Sequence, residues 1–321
     1  MLKISLLIIF NIYAITSTTA QAEIDGIGLP QGRFVEVKQH RMHLDCSGAG
    51  PVTVVVDSGI GGSSIEWFLV RESLGESVRF CAYDRAGYGW SDPGVASRTT
   101  KNISHELRML LNNAGEKPPY LMVGHSFGGF TARYFAYRFP NDVMGLLLVD
   151  ASHPDQISRM NKLVTGTQKR TGGENPLQMP KGNSVENLPE LQQLQAGFLN
   201  SRRKAIFAQM DEIKYFQQSA EQVRQAMPLP NIPVLVVTRG KQVWPENKQG
   251  QFMEKTWLDL QESLSALTIN GRHLLATQSG HNIHLDQPEL LSDQIRTMIR
   301  SYQSAVLHAG VVDLNQDGGS L

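Results

Sequence analysis

The sequence predicts an α/β fold built on a mostly parallel sheet, and three observations carry that prediction. Short continuous apolar runs recur at Val52 to Val56, Val78 to Tyr83, Tyr120 to Val123, Leu146 to Val149 and Val234 to Val237. Runs of that kind suit strands covered on both faces. Helical patterns fall between them, and strands alternating with helices give a parallel sheet. Finally, Gly124-His125-Ser126-Phe127-Gly128 joins one such strand to one such helix. That G-x-S-x-G string, in a strand–turn–helix context, holds a serine hydroxyl up at the edge of a sheet.

The elements follow in order. Lys3 and the apolar stretch Ile4 to Ile15, ending in Ala20-Gln21-Ala22, read as a signal peptide over residues 1–22, cleaved to start the mature chain at Glu23. The stretch is shorter than the roughly 20 residues a bilayer span needs, so no stable membrane span is expected after cleavage. An uncleaved anchor is the competing reading. Export, to a periplasm or out of the cell, implies an oxidising compartment. Cys46 and Cys81 are then either a disulfide or two buried free thiols.

Arg33 to Val37 and Arg41 to Asp45 alternate and predict a hairpin. The apolar runs then alternate with helices at Asn102 to Ala114 and from Phe127 to Phe139. His273 to Ala276 predicts a short last strand, and Pro288 to Val306 a closing helix. Residues 307–321 show no periodicity and are expected to fray as a C-terminal tail. Between Asp150 and Pro233 the alternation stops. Leu188, Leu191, Leu194 and Phe198, then Phe207, Met210, Ile213 and Phe216, have helical spacing. Residues 151–232 are therefore expected to form a helical cap, with a loop from Thr165 to Ser184. The core is then 23–150 and 233–306. A second independent domain is the alternative.

The 30 basic and 30 acidic residues cancel, and no long basic run occurs. Nucleic-acid binding has no electrostatic footprint. Neither a metal-ligand cluster nor a phosphate-cradling loop is evident, so no cofactor is expected.

A serine hydroxyl needs a base within hydrogen-bond reach and a group that orients that base. Ser126 is the candidate nucleophile. Among nine histidines, His281 is the candidate base. It stands in Ser279-Gly280-His281-Asn282, between the last strand and the last helix; His284 is the alternative. His125 is expected to point into the turn, away from the hydroxyl. The segment after Val237, Thr238 to Glu246, holds no aspartate. Asp150, at the end of the preceding strand, is the candidate acid, and Glu246 the alternative. The oxyanion hole is expected from the backbone N–H of Phe127 and one from the loop Asp57-Ser58-Gly59-Ile60-Gly61-Gly62, with Ile60 favoured over Gly61.

Asp84 to Asp92, Gly124 to Gly129 and Ser279-Gly280-His281 resemble recurrent segments of the α/β-hydrolase superfamily, in the branch with a helical cap after strand six. The resemblance spans about residues 30 to 305. It implies the α/β-hydrolase fold, an eight-stranded sheet with only the second strand antiparallel, and a triad in the order Ser, acid, His. The usual His-Gly of the oxyanion loop is Ser58-Gly59 here, and the usual acid after strand seven is missing. In that family's strand order the second and fourth strands are neighbours, which brings Cys46 and Cys81 to adjacent strands. Asp84-Arg85 is expected to brace loops beside the site.

A serine attacks carbonyl carbon and gives an acyl-enzyme that water resolves. Family members that open epoxides or remove halide use an aspartate there. The expected function is therefore an exported serine hydrolase acting on a small-molecule acyl substrate: a carboxylic ester, lactone or thioester. The alternatives are an aminopeptidase or amidase, or a non-catalytic binding protein of the same fold.

Overall fold

The computed structural model describes residues 28–161 and 184–316. Residues 1–22, expected to be a signal peptide, and nearly all of the loop expected from Thr165 to Ser184 lie outside the described residues.

Eight strands form one sheet in the order β1-β2-β4-β3-β5-β6-β7-β8. They are β1 (Arg33–Val37), β2 (His40–Ser47), β3 (Thr53–Asp57), β4 (Arg79–Tyr83), β5 (Tyr120–His125), β6 (Val143–Val149), β7 (Val234–Arg239) and β8 (Gly271–Ala276). Only β2 runs against its neighbours. Cys46 of β2 stands opposite Cys81 of β4, and their sulfurs are joined.

The helices are α1 (Phe68–Leu74), α2 (Thr100–Ala114), α3 (Gly128–Arg138), α4 (Gln156–Met160), α5 (Glu190–Ser201), α6 (Arg203–Lys214), α7 (Phe216–Gln225), α8 (Lys248–Ser265), α9 (Ile283–Asp286) and α10 (Pro288–Gln316). The apolar runs divide by the period of two that a pleated strand imposes. Val55, Met122, Leu146, Leu148 and Val236 face one way, against Leu107, Leu110 and Leu111 of α2 and Phe135 of α3. Val54, Val56, Val123, Leu147 and Val237 face the other way, against Val70 of α1 and Leu291 and Ile295 of α10. Burying each such side chain contributes roughly 1.5–3 kcal/mol.

Helix ends follow local chemistry. Thr99 Oγ1 accepts from the Asn102 N–H to start α2, and Gly115, at φ 74°, ends it in the left-handed region. Asn247 Oδ1 caps α8 through the Gly250 N–H, 2.9 Å.

The helices between β6 and β7 pack on the core. Phe216, Ala220 and Val223 of α7 join Ile103, Phe127 and Phe130 in one apolar cluster. Ala205 and Ala208 of α6 rest on Tyr88. Three helices stand where the sequence pattern assigns none: α1, α8 and the short α9. The closing helix also runs to Gln316, past Val306 and into the segment expected to fray. No proline follows Pro288, and a single glycine, Gly310, costs only about 1 kcal/mol in a helix.

Candidate active site

The turn at Ser126 is tight because two glycines permit it. A Cβ on Gly128 would lie 2.1 Å from the Asp57 carbonyl oxygen, and one on Gly124 would lie 2.6 Å from the Gly128 oxygen. Ser126 itself takes φ 51°, a conformation that costs a non-glycine residue of order 1–3 kcal/mol. The surroundings hold it there. Its N–H donates to the Val149 carbonyl (3.1 Å), and its own carbonyl accepts from Ser152 (2.8 Å). The end of β6 is thus tied to the serine turn. Ser126 is half-buried.

Asp150, the next residue after β6, also has positive φ, at 41°. Its N–H donates to the Val237 carbonyl, 2.7 Å. The carboxylate is fully buried and saturated with donors. His281 Nδ1–H donates to Oδ2 at 2.7 Å, and Arg239 Nη1 donates to the same oxygen at 2.8 Å. Trp257 Nε1–H donates to Oδ1 at 2.8 Å, and the Arg239 backbone N–H reaches Oδ1 at 3.3 Å. Burial alone would raise this carboxyl. The Arg239 charge and the hydrogen bonds from His281 and Trp257 outweigh burial and hold it at about 2.

His281 sits in the loop after β8. The Gly280 N–H donates to Asp286 Oδ2 at 2.7 Å, and His125 Nε2–H donates to the His281 carbonyl at 3.0 Å. With Nδ1 committed to Asp150, Nε2 is the nitrogen left for proton transfer. The Ser126 hydroxyl makes no hydrogen bond among the described residues. Such bonds are often loose in ligand-free sites and tighten around a bound substrate.

His125 turns under this loop, its ring 4.6 Å from that of His281. Burial, then the neighbouring His284 and His281, push its pKa well below the usual value, so it is neutral. His284 is fully buried and stacked on Trp67 at 4.6 Å, with no hydrogen bond to either ring nitrogen. It does not meet Asp150. Glu246, the alternative acid, is exposed and forms no bond to His281.

On the other side of Ser126 lies the loop after β3. A Cβ on Gly59 would come within 3.1 Å of Ser126 Cβ. Arg85 fixes this loop's carbonyls: Nη1 donates to Ser58 O at 2.5 Å and Nη2 to Gly59 O at 2.8 Å. The Ser58 and Gly59 carbonyls are thereby turned toward Arg85. Neither Ile60 nor Phe127 spends its N–H on a backbone acceptor among the described residues. The Gly61 N–H is turned to the Tyr88 hydroxyl. Arg85 is held in turn by Asp57 and by Glu212, Nε to Oε1 at 2.8 Å. Glu212 comes from α6 and is fully buried. Asp84 braces the same region, accepting from Ser64 N (2.7 Å), Trp90 N (2.9 Å) and His43 Nδ1 (2.8 Å).

Four residues of this arrangement are absent from the sequence reading: Arg239, Glu254, Trp257 and Glu212. Arg239 stands at the end of β7, where the resemblance leads one to expect the acid. It reaches back to Asp150 and out to Glu254, Nη2 to Oε2 at 3.0 Å. A basic residue in that place was the available signal. Among the described residues, Cys46, Cys81 and Glu116 are grouped as metal ligands could be. The sulfurs are bonded to each other, and Glu116 is paired with Arg79 at 2.6 Å.

A family model described as the alpha/beta hydrolase fold matches residues 52–183. The uncharacterized protein YqjL of Bacillus subtilis is 28% identical over 259 residues, 79% of this chain and 83% of that protein. A thermophilic esterase from Thermogutta terrifontis superposes with TM-score 0.61 at 19% identity, covering 85% of this chain and 99% of its own. The epoxide hydrolase CorEH does so with TM-score 0.61 at 17% identity, covering 84% and 98%. Sheet order, the serine turn and these likenesses agree: the chain has the α/β-hydrolase fold.

Proposed function

We propose that the protein is a serine hydrolase that cleaves a carboxylic ester, or a lactone or thioester, through an acyl-enzyme. One observation carries the reading: a buried aspartate, Asp150, bonds His281 Nδ1 at 2.7 Å, one residue beyond the strand whose Val149 carbonyl pins Ser126. In this reading His281 Nε2 takes the Ser126 proton as Oγ attacks the carbonyl carbon. Asp150 fixes the tautomer and stabilises the imidazolium. The N–H groups of Phe127 and Ile60 receive the oxyanion, each worth about 3 kcal/mol in the transition state. His281 then protonates the leaving group, and water, deprotonated by the same imidazole, releases the acid. A serine ether would not hydrolyse this way, so epoxide opening does not suit Ser126.

The division of the chain is also proposed: a core of 23–150 and 233–306, with 151–232 as a cap. The inward packing of α6 and α7 supports it. Export with loss of residues 1–22 is supported by Lys3, the apolar run and Ala20-Gln21-Ala22, and the Cys46–Cys81 disulfide suits an oxidising compartment.

The test is covalent labelling by a fluorophosphonate together with turnover of graded acyl esters, lactones and aminoacyl amides. Wild type should label and hydrolyse esters, and folded Ser126→Ala should do neither. Turnover of aminoacyl amides in place of esters would make it an amidase, and an unlabelled, inert wild type would make it a binding protein.

A further inference from the structure

Helix α6 is arranged inside out, and α5 exposes apolar side chains beside it. On α6, Ala205, Ala208 and Glu212 are buried, whereas Ile206, Phe207, Met210 and Ile213 are exposed, Phe207 and Met210 at 60% each. On α5, Leu194 and Phe198 are exposed, while Ala196 and Leu199 are buried together with Gln192 and Gln195. At about 100° per residue the four apolar residues of α6 share one face, and Arg203 and Lys214 lie on that face at its two ends. A soluble surface normally carries the opposite pattern, and contiguous exposed apolar side chains mark a contact surface.

The charges around this face identify the partner. Arg202 lies over the Phe198 ring at 5.6 Å and Arg203 over the Phe207 ring at 5.9 Å. Arg202, Arg203 and Lys214 form no ion pair among the described residues. The acids nearby are mostly committed: Glu212 is buried against Arg85, and Asp211 accepts from the Arg98 N–H at 2.8 Å. Glu190, at the start of α5, and Glu186, just before it, are the exposed exceptions. The chain's formal charge is zero, so this is a local excess. Two copies meeting through this face would bring like charges together, since a twofold contact uses the same patch twice. Apolar side chains at the centre with cations beside them are the composition of a surface that lies in the headgroup layer of an anionic bilayer.

We propose that the outer face of α5 and α6 docks the protein on the surface of an anionic lipid bilayer. The proposal stands whether or not the site hydrolyses esters.

The test is flotation of the protein, as its producing cell accumulates it, with phosphatidylcholine vesicles with and without phosphatidylglycerol. Wild type should float with the phosphatidylglycerol vesicles and much less with phosphatidylcholine alone. The variant Phe198→Ser/Phe207→Ser/Met210→Ser should float at least about tenfold less, since these side chains supply the apolar contact. Arg202→Glu/Arg203→Glu/Lys214→Glu should lose the lipid preference, at about fivefold per cation removed. Both should keep the wild-type unfolding midpoint, because the changed side chains are exposed. Equal flotation of wild type and the apolar variant overturns the proposal, as does wild type that ignores phosphatidylglycerol. A concentration-dependent dimer that the apolar variant abolishes, without vesicle binding, reassigns the face to a second copy.

Discussion

Two buried arginines flank Ser126, and they are built alike but used differently. Arg85 lies between Asp57 and Glu212, against the rings of Tyr88 and Phe127. Arg239 lies between Asp150 and Glu254, against the rings of Trp244 and Trp257. Each is an ion triplet wrapped in aromatic side chains. In the first, the remaining guanidinium donors go to the Ser58 and Gly59 carbonyls, so the cluster fixes a backbone shape and ties α6 to the core. In the second, Asp150 Oδ2 is shared between Arg239 and His281, so the cluster fixes a charge beside an imidazole. Breaking the first should mainly cost stability, and breaking the second should mainly cost rate.

The largest effect is expected at Asp150. In the proposed mechanism, Asp150→Asn keeps the shape but removes the charge that would stabilise imidazolium, and should lower ester turnover about 10⁴-fold, the size seen when a triad acid is so replaced. Glu246→Gln should leave turnover near wild type. Equal, mild losses in both would mean that His281 works without a carboxylate. Next is Glu212→Gln, which leaves Arg85 buried beside one carboxylate. Removing one partner of a buried pair costs about 3–5 kcal/mol. Urea unfolding should show that loss, with kcat of the folded protein changed far less than in Asp150→Asn. A stable Glu212→Gln with collapsed turnover would reverse the roles of the two clusters.

The comparison also has an acid limb. His153 is held down to about 4 by burial and then by Arg133, against an ordinary 6.5. A group whose folded pKa lies below its unfolded one gives stability that is complete above the unfolded value and fades as pH falls through the folded one. His153, with His125 alongside, should therefore make stability decline from about pH 6.5 toward 4. Asp150, at about 2 against an ordinary 3.8, adds a second decline below pH 4, worth about 2 kcal/mol when complete. Unfolding free energies measured from pH 7 to 2 should show both steps. Asp150→Asn should remove only the lower one, and a lower step that survives in that variant would assign it elsewhere.

The serine turn and the positions of the strands were legible because they rest on local rules, whereas the strand order came only from the resemblance. Gly124 and Gly128 are needed where backbone meets backbone, and the apolar runs at β3, β5 and β6 are short, continuous and bounded. Helix α8 has the right spacing in Met253, Trp257, Leu260 and Leu264, but Gly250 and many polar residues dilute the pattern. Short α1 gives too few turns to establish a period. The arginine clusters were not legible at all. Arg85 and Glu212 are 127 residues apart, and no periodicity connects partners that only the packed fold brings together. Nor could exposure of the α6 apolar face be read: helical spacing shows that Phe207, Met210 and Ile213 share a side, not whether that side turns in or out.

The smallest effect is expected at Arg239. If Arg239 serves Asp150 only as a positive charge, Arg239→Lys should be silent. The structure gives it a second task. Its Nη1 donates to Asp150 while Nη2 donates to Glu254, with the guanidinium 4.7 Å from the Trp244 ring and 5.1 Å from that of Trp257. A lysine keeps the charge but has no planar fork to span both carboxylates. Asp150 would then be free to shift against His281, and small displacements of a positioned group are costly in rate. Arg239→Lys should lower kcat about tenfold, roughly 1.4 kcal/mol in the barrier, with KM unchanged because the residue is buried. Arg239→Met, which also removes the charge, should lose more and should lose stability as well. Wild-type kcat in Arg239→Lys would show that the charge alone suffices, and the likeness to the Arg85 cluster would then be one of packing only.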